Sequence, residues 1–343
     1  DVRSPGEFVQ GHIPGACNLP LFSDAERKIV GTTYKQVDRE AAIKIGLDFF
    51  GPKMRQMVIT AEEIRDNHLK GLKEAPSASN LILVHCWRGG MRSAALAWLL
   101  DLYGFKVYTL TGGYKAYRSW VRDTYSSSFP VQLLGGYTGS GKTYVLQKLR
   151  EQQLPVLDLE ALASHKGSAF GNIGLPEQPS QEHFENLLAR ELNQLGIRPG
   201  ISYEGPPIWL EDESQRIGLV NIPTSLWQTM REAPLYFLEI SFEERLRHIV
   251  EEYGGLEPEK MMQAIQRISK RLGGLETKMA LEAMSQQRLE DCFRILLTYY
   301  DKWYRKGLHN RPALVQQLIT CPSPVVDARR NATLIAQLQI QKV

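Results

Sequence analysis

The string Gly136-Tyr137-Thr138-Gly139-Ser140-Gly141-Lys142-Thr143 has the spacing GxxxxGK[ST] and stands between an apolar run and a helix-like run. Glycines at these places let successive backbone N–H groups curl round a phosphate, and a helix starting at Lys142 would add the positive end of its dipole. Lys142 supplies a point charge and Thr143 a hydroxyl suited to Mg²⁺. Asp158 closes the next apolar run, where its carboxylate could hold that ion or order its waters, or simply cap a helix. Such a loop specifies a polyphosphate and not a reaction. A nucleoside triphosphate is the default occupant, yet any diphosphate ester offers similar oxygens.

A second string, His85-Cys86-Trp87-Arg88-Gly89-Gly90-Met91-Arg92-Ser93, puts one cysteine at the end of an apolar run with a helix-like run beginning behind it. The helix dipole and the guanidinium groups of Arg88 and Arg92 favour thiolate over thiol, giving a nucleophile inside an anion cradle lined by Trp87, Gly89, Gly90 and Met91. Two chemistries share this design. The pattern HC-x5-R describes cysteine-dependent phosphatases, in which the arginine clamps a phosphoryl group. Rhodanese-type sulfurtransferases instead carry sulfur or selenium on the cysteine.

The elements that must hold these groups follow from hydrophobic periodicity. Residues 80–85 and 106–110 read as buried strands with a helix at 92–102 between them, which is βαβ grammar and implies a parallel sheet covered by helices. Ser126-Ser127-Ser128-Phe129-Pro130 is a turn-rich interruption and marks a domain boundary, giving domains at about 1–124 and 130–343. The second domain restarts the grammar with strands expected at 131–135, 156–159, 201–204 and 235–240. Helical patterns run from 243 to 318, broken at Gly254-Gly255 and Gly273-Gly274, and a strand at 325–326 closes the series.

With 343 residues there is chain enough for two domains with real cores, and 43% hydrophobic against 23% charged residues excludes a disordered or collagen-like chain. No apolar run approaches the roughly 20 residues of a membrane span. The cysteines Cys17, Cys86, Cys292 and Cys321 lie far apart without a CxxC pair, which suggests neither disulfides nor a zinc ribbon and fits a reducing cytoplasm. The net charge of +3 is segregated: +4 over residues 1–128 (17 basic against 13 acidic), −7 over 129–254 (10 against 17), +4 over 255–311 (11 against 7) and +2 over 312–343 (3 against 1). Basic ends admit a polyanionic partner, although solvated helix faces give the same arithmetic.

The surroundings of the cysteine resemble a rhodanese domain. Asp1-Val2-Arg3-Ser4-Pro5-Gly6-Glu7-Phe8, Gly11-His12-Ile13-Pro14-Gly15-Ala16 and Asn18-Leu19-Pro20 match its opening, and Leu110-Thr111-Gly112-Gly113-Tyr114-Lys115-Ala116-Tyr117 its closing motif. The chain begins at what should be the end of the first strand, so a few residues are expected before Asp1. Arg92 follows Cys86 by six positions, one more than in the usual short sulfurtransferase loop, and a wider cradle admits a bulkier donor.

Over most of its length the chain resembles the tRNA 2-selenouridine synthase family. The residues that carry this are Val30-Gly31-Thr32-Thr33-Tyr34-Lys35-Gln36, the cysteine loop, the phosphate loop, Leu157-Asp158-Leu159-Glu160, His165-Lys166-Gly167-Ser168-Ala169-Phe170-Gly171 and Glu211-Asp212-Glu213-Ser214-Gln215-Arg216-Ile217-Gly218. The resemblance implies an α/β fold: a rhodanese-like parallel-sheet domain, then a P-loop NTPase-like domain with a largely helical C-terminal extension. It implies a transferase that S-geranylates wobble 2-thiouridine with geranyl diphosphate and then replaces the geranylthio group with selenium from selenophosphate. Cys86 would attack selenophosphate and carry selenium as a perselenide, while Arg88, Arg92 and the loop amides hold the donor. Gly136 to Thr143 would bind the prenyl diphosphate. Asp158, Glu211 and Asp212 are the candidate polar or Mg²⁺ site, with a solvated helix start as the plain alternative for Glu211, Asp212, Glu213 and Arg216. His165, Lys166 and Ser168 would lie near the phosphates, touching donor or RNA, or form an ordinary surface loop.

No tightly bound cofactor is implied, and no resident metal beyond a phosphate-associated Mg²⁺. The expected partners are the anticodon stem-loop of a thiolated tRNA and a selenophosphate-supplying enzyme, and no membrane. The candidate RNA face is the basic helical stretch with Lys260, Arg267, Lys270, Arg271, Lys278, Arg288, Arg294, Lys302, Arg305, Lys306 and Arg311, accompanied by Tyr299, Tyr300, Trp303 and Tyr304, of which at least half should pack inside. The rival readings are a cysteine phosphatase or plain sulfurtransferase fused to an ATP-binding kinase-like module, and a tRNA-binding chalcogen carrier without catalysis.

Overall fold

The computed structural model describes residues 1–70, 80–311 and 314–340. The chain divides into two compact units, Asp1–Asp123 with Glu185–Arg190, and Thr124–Phe184 with Glu191–Val343. Within the expected helical stretch, residues 312 and 313 lie outside the described residues, as do 341–343 at the end of the expected second domain. Among the described residues no helix is long and apolar enough to cross a membrane.

In the first unit, β1 (Leu81–Val84) pairs in parallel with β2 (Lys106–Thr109), and the helix Met91–Tyr103 makes the crossover. Leu96, Leu99 and Leu100 on that helix pack with Val84, Phe105, Phe22, Phe50 and Met57 from the helices and extended segments around it. The helix Gly113–Tyr125 follows β2 directly.

The second unit is built on four parallel strands in the order β4 (Ile208–Glu211), β3 (Val131–Gly136), β7 (Leu235–Glu239) and β8 (Leu318–Pro322), while β5 (Arg216–Ile217) and β6 (Val220–Asn221) form a small antiparallel ribbon. Strand β3 is buried almost throughout, as a strand covered on both faces must be. Its chain continues to β4 on one side and later to β7 on the other, so the C-terminal end of β3 is the topological switch point where open α/β sheets bind ligands. The helices Lys142–Glu151 and Ala328–Ile340 cover one face through Val145, Leu146, Leu149, Ala332 and Ile335. A separate helical layer, Phe242–Tyr253, Pro258–Arg267, Gly274–Ser285 and Leu289–His309, closes on its own core of Leu246, Met261, Ile265, Met284, Phe293 and Leu297.

Several elements differ from the sequence reading. Residues 156–159 make only an isolated bridge, Val156 to Trp209, because Asp158 caps a helix that begins at Leu159. Residues 201–204 are likewise not a strand: the segment makes one bridge, Arg198 to Ile201, and the strand lies later, at Ile208–Glu211, where all four side chains are buried. Two prolines, Pro206 and Pro207, separate the two apolar runs and disguise which one enters the sheet. The long helix stops at His309, and the closing strand is Leu318–Pro322 rather than 325–326, since an apolar stretch of five residues does not by itself distinguish helix end from strand.

Candidate functional site

The cysteine loop in the first unit is held from behind. Tyr114 N–H donates to the Cys86 carbonyl at 2.9 Å and Lys115 N–H to the Trp87 carbonyl at 2.8 Å, so the first turn of Gly113–Tyr125 consumes the loop's acceptors. This close approach needs glycine: at Gly113, with φ +59, a Cβ would sit 2.4 Å from the Cys86 oxygen. The donors are left for the sulfur. Gly90 N–H reaches Cys86 Sγ at 3.3 Å, and Ser93 Oγ lies 3.3 Å from the same atom. Burial pushes the Cys86 thiol up, but hydrogen bonds from the Ser93 hydroxyl and from the amides of Ser93, Arg88 and Gly90 outweigh it and hold the thiol below its ordinary value. Cys86 is 4% exposed and forms the floor of the cradle, whose rim, Trp87 to Met91, is exposed.

The two arginines behave differently from each other. Arg92 is held by Glu7 at 2.8 Å, and although burial opposes it, that hydrogen bond and charge lower the Glu7 carboxyl to about 2. Arg88 is exposed and makes no side-chain hydrogen bond or ion pair among the described residues. Burial and then nearby cations lower His85 to about 3, and among the described residues neither ring nitrogen has a hydrogen-bond partner. The other cysteines stand outside this arrangement: all four are free, Cys17 is exposed, and burial pushes Cys292 up to about 12.

The phosphate loop sits at the C-terminal end of β3. Gly141 takes φ +73 and is the N-cap of Lys142–Glu151 with no side chain capping it, so the first amides of that helix are unclaimed by a cap. Lys142 Nζ folds back onto the Gly136 carbonyl at 3.0 Å, and the Ser140 hydroxyl is buried without a partner. Thr143 Oγ1 donates to Glu160 Oε2 at 2.9 Å.

Around the loop the carboxylates separate into distinct duties. Asp158 accepts from Ala161 N–H at 2.8 Å and caps the helix Leu159–Ala163. Glu211 is not on a solvated helix start; it ends the buried strand β4, accepts from Leu159 N–H at 3.3 Å, and has its second oxygen unpartnered. Burial, followed by Asp158 and Glu160, pushes its carboxyl well above the usual range. Asp212 is tied into a network, accepting from Tyr304 Oη at 2.7 Å and from Arg311 at 2.5 Å. Two further carboxylates stand here, Glu160, to which the sequence reading gave no role, and Glu213, which it grouped with Glu211, Asp212 and Arg216. Glu160 bonds Thr143, and Glu213, raised to about 8 by desolvation and then by Glu160, lies under Gly167, where a Cβ would meet its carboxylate at 2.7 Å. Both occur inside the family strings, which was the available signal.

The helical layer fixes this site from the side. Tyr304 Oη accepts from Gly136 N–H at 3.2 Å, Arg245 donates to the Thr138 carbonyl at 2.9 Å, and the Arg245 guanidinium lies 4.9 Å from the Tyr137 ring centre. The loop from His165 to Gly171 is anchored by Phe170, which enters the helical core between Tyr253 and Phe293, and by Tyr300 Oη, which accepts from Ala169 N–H at 3.1 Å. Lys166 pairs with Glu252 at 2.6 Å. Of the four aromatics expected with the basic stretch, Tyr304 and Tyr300 therefore serve the interior, while Trp303 is 44% exposed. Arg311, expected on the RNA face, is buried on Asp212.

A group of three or more histidine, cysteine, aspartate or glutamate side chains able to hold a metal is absent among the described residues. Thr143 and Glu160 fit a Mg²⁺ that arrives with a phosphate ligand, since that ion takes one or two protein oxygens and keeps its waters.

Comparison with known proteins agrees with this architecture. Residues 1–119 match the rhodanese-like domain and residues 129–317 match the family model described as tRNA 2-selenouridine synthase AAA domain, in the order expected from the sequence. The tRNA 2-selenouridine synthase of Pseudomonas savastanoi pv. phaseolicola is 35% identical, the match covering 92% of this chain and 90% of that one. The protein of the same name from Sulfurovum sp. is 33% identical over 89% of this chain and 86% of its own. That of Nitrosomonas europaea is 39% identical over 74% and 62%.

Proposed function

This chain belongs to the tRNA 2-selenouridine synthase family, and from that premise we propose that it is a tRNA-modifying transferase converting wobble 2-thiouridine to 2-selenouridine in two steps. In the first, the thiocarbonyl sulfur attacks the allylic carbon of geranyl diphosphate. A C–S bond forms, the C–O bond breaks, diphosphate leaves with the electron pair, and the ring N–H gives its proton to water. Negative charge grows on the departing oxygen, where Lys142 and the amides of Gly139 to Thr143 would stabilise it. A phosphate loop used this way needs no nucleotide hydrolysis. Mg²⁺, when bound at Thr143 and Glu160, would supply further neutralisation of the diphosphate.

In the second step selenium from selenophosphate takes the place of the geranylthio group. Alkylation has made that group a good leaving group and the ring carbon more electrophilic. Cys86 handles the donor, with Arg88 and the loop amides holding its charge. Selenium in donor and product has the same oxidation level, so attack of the Cys86 thiolate on phosphorus, forming an S–P bond and releasing selenide with the bonding pair, needs no oxidant. Carriage as a perselenide needs a two-electron acceptor besides. Selenide then adds to the ring carbon and expels geranylthiolate, and water cleaves the S–P bond.

The observation that carries this reading is a thiol that accepts from the Gly90 amide beside the Ser93 hydroxyl in one unit and a phosphate loop without a capping side chain in the other, in a chain of this family. The test is to incubate the protein with thiolated tRNA and each donor separately, then identify the nucleosides. Geranyl diphosphate alone should give S-geranyl-2-thiouridine, and both donors 2-selenouridine. Phosphate release from an aryl phosphate that survives loss of Lys142, with no RNA product, would establish the phosphatase reading instead.

A further inference from the structure

The C-terminal half of the helix Leu289–His309 borders a cavity of about 570 Å³ lined by Phe242, Asp301, Lys302, Arg305, Lys306 and His309 among others. The three cations stand at i, i+3 and i+4, which places them on one helix face. None of Lys302, Arg305 and Lys306 is in an ion pair within 4.0 Å among the described residues. The one carboxylate in the lining, Asp301, is already neutralised by Arg245 through two hydrogen bonds of 2.9 and 2.7 Å.

Four other cations of the basic stretch are neutralised by carboxylates, whereas Arg267, Lys270, Arg271 and Lys278 make no ion pair within 4.0 Å among the described residues and stand outside the cleft lining. Lys260 pairs with Glu257, Arg288 with Asp291, Arg294 with Glu243 and Glu290, and Arg311 with Asp212. Of the cations left without an ion pair, Lys302, Arg305 and Lys306 are gathered along one cleft. The cleft also adjoins the phosphate loop, since Arg305 Nε comes within 3.5 Å of Tyr137 Oη, and Arg245 links Asp301 to the Thr138 carbonyl. Lys306 lies 5.1 Å from the exposed ring of Trp303, so the cationic face continues into an aromatic surface on which an unpaired base could stack.

We propose that this cleft holds the sugar–phosphate backbone of the RNA substrate, with Lys302, Arg305 and Lys306 as its phosphate contacts, next to the phosphate loop. The proposal rests on the reading of the substrate as tRNA. Each phosphate neutralised releases condensed counterions, so the contacts are visible in the salt dependence of binding.

Binding of thiolated tRNA to the full chain should be measured by filter retention across a range of salt, for the wild type, Lys302→Ala/Lys306→Ala, and Lys260→Ala/Arg288→Ala. Loss of two contacts should lower the slope of log K against log salt by about 1.4 to 1.8, from about 0.7 to 0.9 per phosphate. The paired-cation control should keep the wild-type slope, and inorganic diphosphate should bind all three proteins alike. An unchanged slope in the Lys302/Lys306 variant, with wild-type binding intact, overturns the cleft while leaving the function standing. A wild type that does not bind tRNA overturns the function itself. A thermal melt of each variant separates either result from misfolding, and Lys302→Arg, which keeps the charge, should restore the slope.

Discussion

Replacing Ser93 with alanine tests how the cradle makes a thiolate. Ser93 Oγ lies 3.3 Å from Cys86 Sγ and 3.0 Å from the Gly90 carbonyl, so its single proton serves one acceptor at a time. With the thiol protonated, Ser93 donates to Gly90 and can accept from S–H. With the thiolate, it turns to the sulfur. A hydrogen bond to a charged group contributes about 1.5 to 3 kcal/mol, and giving up the Gly90 carbonyl returns about 1 kcal/mol of it. The balance, roughly 0.5 to 2 kcal/mol, corresponds to between about half a pH unit and one and a half, centred near one. The rate of Cys86 alkylation by iodoacetamide, followed against pH by mass spectrometry of the cysteine peptide, should therefore show its inflection moved upward by about one unit in Ser93→Ala. A limiting rate equal to the wild type's at high pH would show that access is unchanged. An inflection that stays in place would refute the account, because the amides of the loop alone would then set the thiolate.

Other outcomes follow from the same geometry. Cys86→Ala should abolish selenation while S-geranylated tRNA accumulates, as nucleoside mass spectrometry would show; equal loss of both products would sink the division of labour. Lys142→Ala should slow geranyl transfer about a hundredfold or more, the scale for removing one donor to a developing anion, and unchanged transfer would remove the phosphate loop from the prenyl step. Glu213 is raised to about 8, by desolvation and then by Glu160, so the native state keeps a proton that the unfolded chain has lost above about 4.5. Stability attached to this group is complete below that lower value and declines as pH rises through about 8. Glu213→Gln should accordingly gain melting temperature relative to the wild type between pH 5 and pH 8.5; a gap that does not change with pH would contradict it.

The strand Leu235–Glu239 fell within an expected apolar run because a buried parallel strand is continuous in composition. Leu81–Val84 and Lys106–Thr109 also fell where strands were expected, but they are largely exposed rather than buried, with Val84 alone of the eight residues buried. Where two apolar runs competed, at 201–204 and Ile208–Glu211, composition did not choose between them. The choice depends on which run completes the sheet beside Val131 to Leu134, a pairing with residues more than seventy positions away.

The placing of both loops between a strand and a helix was legible from residue types and spacing, since glycine conformation and helix start are encoded within eight or nine consecutive residues. What the chain does with its charges was not. Sequence counts Arg92, Arg311, Asp212 and Lys302 alike as charges, whereas folding places Arg92 on Glu7 at a separation of 85 positions and Arg311 on Asp212 at 99, and leaves Lys302 facing a cleft. Tyr304 likewise reaches Gly136 across 168 positions. Local backbone geometry is fixed by neighbours along the chain, so sequence determined the two loops. Whether a charge is neutralised, buried or free depends on partners distant in sequence, and only the tertiary structure decided that.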